Sequence, residues 1–187
     1  EAGVYVWKSF GGSFDLDSGD EEKKKDRIRD TVTKYKDHPA LLFWESMDEP
    51  AWTDKQPSKA RATPEGLAKG YRFLQTLDSS HPVYINHAPR NTVDTLRQYN
   101  SGADIICVDI YPIVPDGLDT MYAITPDGRH GDLPNQTASC VGEYVDKMKE
   151  IARADQAVFV VLQGFAWEGL RPEDERDASL VQYPTYE

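Results

Sequence analysis

Five short apolar runs punctuate the chain, each bounded by charged or turn-forming residues. Residues 3–8 (GVYVWK), 40–49 (ALLFWESMDE), 82–86 (PVYIN), 104–111 (DIICVDIY) and 157–162 (AVFVVL) are rich in β-branched and aromatic side chains and have strand length. Helix-period patterns separate them. Ile28, Val32 and Tyr35 recur at helical spacing in the charged stretch 21–36. Leu67, Tyr71 and Leu74 follow Thr63-Pro64-Glu65, where Thr63 suits the N-cap and Pro64 the first helical position. Asn91 is expected to cap a brief helix reaching about Tyr99, with Val93 and Leu96 inward. Val141, Tyr144, Val145, Met148 and Ile151 mark the last helix. Strands apolar on both faces and alternating with amphipathic helices predict an α/β fold: a parallel sheet covered by helices.

Polar residues recur where these strands end: Glu49, Asn86, Asp109 with Tyr111, and Gln163. Convergence of functional groups at several strand carboxyl ends favours a (β/α) TIM-type barrel, incomplete in this chain and forming one partial domain over residues 1–187. No glycine-rich fingerprint follows the first strand, so a dinucleotide site is disfavoured. Strict alternation puts Leu41, Phe43, Glu45, Met47 and Glu49 on one face. Glu45 is then expected to be a buried structural acid paired with a neighbouring base, Lys8. Trp44 is expected to pack between strand and helix. Asp15, Asp17 and Asp20 are read as compensating the N-terminus of the helix over 21–36, since their spacing does not fit a calcium loop. Residues 112–137 lack periodicity; they carry Arg129-His130 and the sequon Asn135-Gln136-Thr137, read as a chance occurrence.

Composition narrows the partners. The 187 residues carry a formal net charge of -11, which argues against nucleic acid or an anionic membrane surface and leaves neutral or cationic small substrates. Aromatic residues reach 11%, surfaces that suit sugar rings as well as cores. The two cysteines, Cys107 and Cys140, lack metal-ligand spacing, and Cys107 is expected to be a buried free thiol. Neither a metal nor a cofactor is expected. No apolar stretch reaches membrane-spanning length. The chain opens on a strand-like run without an initiator Met and reads as an excerpt of a longer protein, so the expectation for an open-edged sheet is poor stability alone.

The motif HPALLFWESMDEP, at residues 38–50, resembles the fourth-strand signature of clan A glycoside hydrolases, ADIICVDIYPI their sixth strand, VFVVLQGFAW their seventh, and RDASLVQYPTYE the approach to an eighth. The resemblance covers about strands three to seven. It implies a carbohydrate substrate, an extracellular or periplasmic setting, and Glu49 as the general acid/base. Burial and the neighbouring Asp48 would themselves keep a strand-end carboxyl protonated. Asp48, Asn86, His87, Asp109, Tyr111, Gln163, Trp167 and Glu168 are the candidate substrate-binding residues, with Trp167 a possible platform for a sugar ring. The chain departs from the family at two positions. Asp48 stands where Asn is usual. Gln163 stands where the family has a nucleophilic Glu, and an amide can neither form a glycosyl ester nor act as a base. Three readings follow: Glu168 supplies the second carboxylate, Asp109 supplies it, or the barrel binds sugar without hydrolysing it. An α/β enzyme acting on another neutral substrate through Glu49 and Asp109 is a weaker fourth.

Overall fold

The computed structural model describes residues 3–52, 60–89, 91–115 and 137–185. Five strands, β1 (Val6–Ser9), β2 (Leu41–Asp48), β3 (Val83–His87), β4 (Ile105–Ile110) and β5 (Ala157–Leu162), form one sheet in the order β1-β2-β3-β4-β5. Every neighbouring pair is parallel. The crossovers hold α1 (Glu21–Tyr35), α2 (Pro64–Leu77), α3 (Val93–Arg97) and α4 (Ser139–Ile151). The expected sequon residues Asn135 and Gln136, and Arg129-His130, lie outside the described residues.

The four helices share one face of the sheet. Ile28 and Val32 of α1, Leu67 and Leu74 of α2, Leu96 of α3, and Tyr144, Met148 and Ile151 of α4 pack in one core with Trp44, Val83, Ile85, Ile106, Val108 and Ile110 from the strands. Trp44 is fully buried there, as expected, and its indole donates to Asp78 Oδ2 at 2.9 Å. The close approach of α2 uses glycine: a Cβ on Gly70 would lie 2.1 Å from the carbonyl oxygen of Phe14.

The opposite face carries no helix among the described residues. Trp7 stacks on Phe43 (5.7 Å between ring centroids), Phe43 on Tyr84 (5.1 Å), and Phe159 meets Phe43 edge to face at 6.2 Å. β2 and β5 are three strand spacings apart, about 14 Å in a flat sheet, so the contact between Phe43 and Phe159 means that the sheet curls toward this face. Trp7 and Phe159 nonetheless remain 54% and 43% exposed, and β1 and β5 are its two edges. Cys107 is a buried free thiol, as expected, and Cys140 is buried and in no disulfide.

Several local expectations are corrected. Lys8 does not pair with Glu45. Lys8 lies beside Trp44 and Ser9 beside Glu45, so Lys8 shares the face of Trp44. The Ser9 hydroxyl and the Trp7 indole take the expected place of Lys8 against Glu45, whose proton affinity is raised by burial. Thr92, not Asn91, caps α3 by accepting from Thr95 N–H, while the Asn91 amide donates to Ala51 O at 3.0 Å. Asp20 does cap α1. Asp15, however, serves α2: its carboxylate accepts from Thr63 N–H at 3.3 Å, and Asp17 pairs with Lys69.

Candidate active site

β2 does not keep strict alternation to its end. Glu45 pairs with Tyr84 and Asp48 with Asn86, so three steps along β2 match two along β3. This bulge re-aims the last residues of the strand. Asp48, rather than Met47, joins Asn86 on the helix-free side, and Asn86 Nδ2 donates to Asp48 Oδ1 at 2.9 Å. Met47 packs with the helix-side core. The expectation that Glu45, Met47 and Glu49 share one face is thereby corrected.

Glu49 follows directly. Its N–H donates to Asn86 O at 2.9 Å, and its own carbonyl accepts from Trp52 N–H at 3.0 Å. Its φ is 46°, the one positive value for a non-glycine among the described residues. Such a conformation costs on the order of 1–3 kcal/mol and concentrates at functional sites. The carboxyl is pushed up to about 7, first by burial, then by the charges of Asp109 and Asp48, with Arg61 opposing. Arg61 Nη1 lies 3.0 Å from Glu49 Oε2.

Asp109, from β4, reaches the same cluster. Burial and the charge of Asp48 raise it to about 6, while the side chains of Asn86 and Tyr111 lower it. One oxygen each of Asp109 and Asn86 is buried without a protein partner. Three successive strands, β2, β3 and β4, therefore bring Asp48, Glu49, Asn86 and Asp109 together at their carboxyl ends, with Tyr111 beside them. This is an acceptor-rich set in which burial and neighbouring carboxylate charge raise the proton affinity of two carboxyls, Glu49 and Asp109.

The remaining candidates occupy other environments. His87 points to the helix side, fully buried beside Tyr99 at 6.3 Å between rings, and neither ring nitrogen has a partner. Burial and the charge of Lys147 push it down to about 3, leaving it neutral. The strand alternation that aims Asn86 into the cluster aims His87 away from it. Gln163 is buried and holds two loops together: Oε1 accepts from Ile113 N–H at 2.9 Å, and Nε2 donates to Ile113 O at 3.1 Å and to Phe165 O at 2.9 Å. Trp167 packs with Val114, Tyr111 and Phe165 and donates to Tyr111 O at 3.3 Å. Glu168 is buried, accepting from Asp177 N–H at 2.7 Å and pairing with Arg171 at 2.9 Å.

Two residues near Glu49 are absent from the sequence-based candidates: Arg61, and Trp52, whose ring lies 5.9 Å from the Arg61 guanidinium. Both belong to an unperiodic stretch, and the signal available for them was a cation and an aromatic close in sequence to a cluster of acids. Among the described residues, no three His, Cys, Asp or Glu side chains are grouped to hold a metal ion.

A curled parallel α/β sheet with helices on one face and a carboxylate cluster at the strand ends is the class of structure so defined. No family model matches the sequence. No curated protein matches it either. Solved structures do share the fold. A GH2 β-galacturonidase from Eisenbergiella tayi bound to galacturonate is similar at 16% identity and TM-score 0.52, over 92% of this chain and 27% of that one. The β-galactosidase from the psychrophilic Marinomonas ef1 is similar at 11% identity and TM-score 0.51, over 76% of this chain and 31% of that one. The β-glucuronidase of Bifidobacterium dentium, complexed with coumarin-3-O-glucuronide, is similar at 16% identity and TM-score 0.50, over 83% of this chain and 22% of that one. The chain thus spans roughly a quarter of the length of these structures, and the likeness is one of fold.

Proposed function

We propose that this chain is part of a (β/α)-barrel catalytic domain that cleaves glycosidic bonds, with Glu49 as general acid/base and Asp109 as the second carboxylate. The observation that carries this reading is the coupling of these two groups across the strand ends. Burial and the Asp109 charge keep a proton on Glu49 to about 7, while Asp109 itself ionises near 6. Glycosidic cleavage uses one carboxyl that donates a proton to the leaving oxygen and one that acts as carboxylate. Two carboxyls whose proton affinity is raised together, by burial and by neighbouring carboxylate charge, are suited to divide those roles between them. Asp48, Asn86 and Tyr111 would orient the sugar through hydrogen bonds. The consecutive strand order, the helices on one face and the curl of the sheet support a barrel sector. The glycosidases sharing the fold support a carbohydrate as substrate.

Gln163 and Glu168 fit this scheme less well as the second carboxylate, because both side chains are already engaged with loop groups. Gln163 also favours a second reading, a barrel that binds sugar without hydrolysing it. The full-length protein should hydrolyse aryl glycosides, and Glu49→Gln and Asp109→Asn should each abolish most turnover. Equal turnover in wild type and Glu49→Gln would sink the assignment. Calorimetric sugar binding without turnover would favour the binding module.

A further inference from the structure

Arg61 reaches Glu49 from a rigid mounting. Beyond Glu49, residues 50–52 and 61–62 are clasped together: Ala62 N–H donates to Pro50 O at 3.1 Å and Arg61 N–H to Trp52 O at 3.0 Å. The clasp is held from three sides. The Tyr99 hydroxyl donates to Ala62 O at 3.0 Å, the Asn91 amide to Ala51 O at 3.0 Å, and Asp15 accepts from the adjoining Thr63 N–H at 3.3 Å. The backbone of Arg61 is thus fixed independently of its ion pair. From this base the guanidinium lies over the Trp52 ring at 5.9 Å and meets Glu49 Oε2 at 3.0 Å. A planar guanidinium held against an aromatic face is a directional donor, unlike a flexible ammonium.

Among the described residues, the groups facing Glu49 are Asp48 from its own strand, Asp109 from β4, the backbone of Asn86 from β3, and Arg61. Among the described residues Arg61 is the one cation paired with it. We propose that Arg61 is a positioning residue for Glu49, fixing the orientation of its carboxyl and offsetting the two neighbouring aspartates so that Glu49 both releases and recovers a proton in the same pH range. This rests on reading Glu49 as the acid/base. An acid that must also act as base fails if like charges keep it protonated throughout. The carboxyl of Glu49 is poised near neutrality because Arg61 opposes them.

The test is a carbon-13 NMR titration of the Glu49 carboxyl in the full-length protein, assigned with Glu49→Gln, alongside the pH profile of kcat/KM on an aryl glycoside. Arg61→Met should raise the midpoint by about one pH unit and move the alkaline limb of the profile with it. Arg61→Lys should bring the midpoint back toward wild type while kcat stays below wild type, because the charge returns without the planar guanidinium held against Trp52. Trp52→Ala removes the surface under the guanidinium and should raise the midpoint partway, which keeps the test decisive if Arg61→Met folds poorly. An unchanged midpoint in all three variants would overturn the role of Arg61. A midpoint that moves in a protein without glycosidase activity would retain the ion pair's effect on Glu49 and defeat the catalytic reading instead.

Discussion

Asn86 Nδ2 donates to Asp48 Oδ1 at 2.9 Å across the β2–β3 boundary. This contact exists because the bulge in β2 turns Asp48, not Met47, toward Asn86. It ties the first of three acidic residues to the middle strand of the cluster, and the same side chain steadies Asp109 on the far side. Replacing Asn86 by Ala should therefore act on both carboxylates together. We expect kcat/KM to fall by about tenfold or more, the scale of one hydrogen bond to a charged group. The midpoint of Asp109 should rise. Unchanged kinetics with an unchanged Asp109 midpoint would contradict the role of Asn86 as their link.

The two shifted carboxyls predict the pH dependence of turnover. Asp109 must be ionised, which requires a pH above about 6. Glu49 must be protonated, which requires a pH below about 7. The profile of kcat/KM should be a narrow bell centred between these values, its limbs reporting the pair as a coupled unit. Asp109→Asn should lower the upper limb, since its charge raises Glu49. A profile flat from pH 5 to about 9 would contradict the assignment.

Placing a carboxylate at position 163 should not create a nucleophile. The Gln163 amide donates to the carbonyls of Ile113 and Phe165 and accepts from Ile113 N–H. A carboxylate there cannot donate, and it faces two carbonyl oxygens in a buried setting. Gln163→Glu should cost about 1–3 kcal/mol of stability, measured by denaturant melting, with no gain in turnover. Higher activity at unchanged stability would show that the side chain is catalytic by position.

Asp78 offers a control away from the site. Burial raises its proton affinity, but hydrogen bonds from Ser80, from the Trp44 indole and from His81 outweigh that and hold it well below the ordinary carboxylate range. A depressed carboxyl stabilises the fold above its unfolded pKa and loses that contribution as the pH falls below it. Asp78→Asn should therefore destabilise the protein at pH 7 by on the order of 1–2 kcal/mol and narrow the difference from wild type near pH 2. Thermal melts at the two pH values check this; an equal deficit at both would remove the ionised Asp78 from the account.

The architecture was legible in the sequence because buried parallel strands and amphipathic helices write distinct periods. The run 157–162 matches β5 residue for residue, and Thr63 with Pro64 marks the start of α2. Glu49, Asn86 and Asp109 were legible as polar residues closing apolar runs. What failed was fine geometry. Counting by twos along β2 breaks at the bulge, where one extra residue reverses which side chains face the cluster, and no residue in ESMD announces it. Charge alone pairs Lys8 with Glu45, whereas strand register gives that place to Ser9. Adjacency in sequence groups His87 with Asn86, although neighbours in a strand face opposite ways. The position of Arg61 comes from a tertiary clasp that leaves no periodic trace in the sequence.

The strand order carries one more consequence, for how the chain assembles. Each of the five described strands pairs with its neighbours in sequence, so within this sheet no pairing waits for a distant segment to arrive. The ordering entropy is met one strand-and-helix unit at a time, which keeps contacts local for a parallel sheet. The sheet is thus able to grow stepwise as the polypeptide emerges, with each new strand docking on the edge left by the last. The clustered acids would then come into register in the order β2, β3, β4, and Arg61 would pair with Glu49 only once the residues that hold its clasp, Tyr99 and Asn91, have folded.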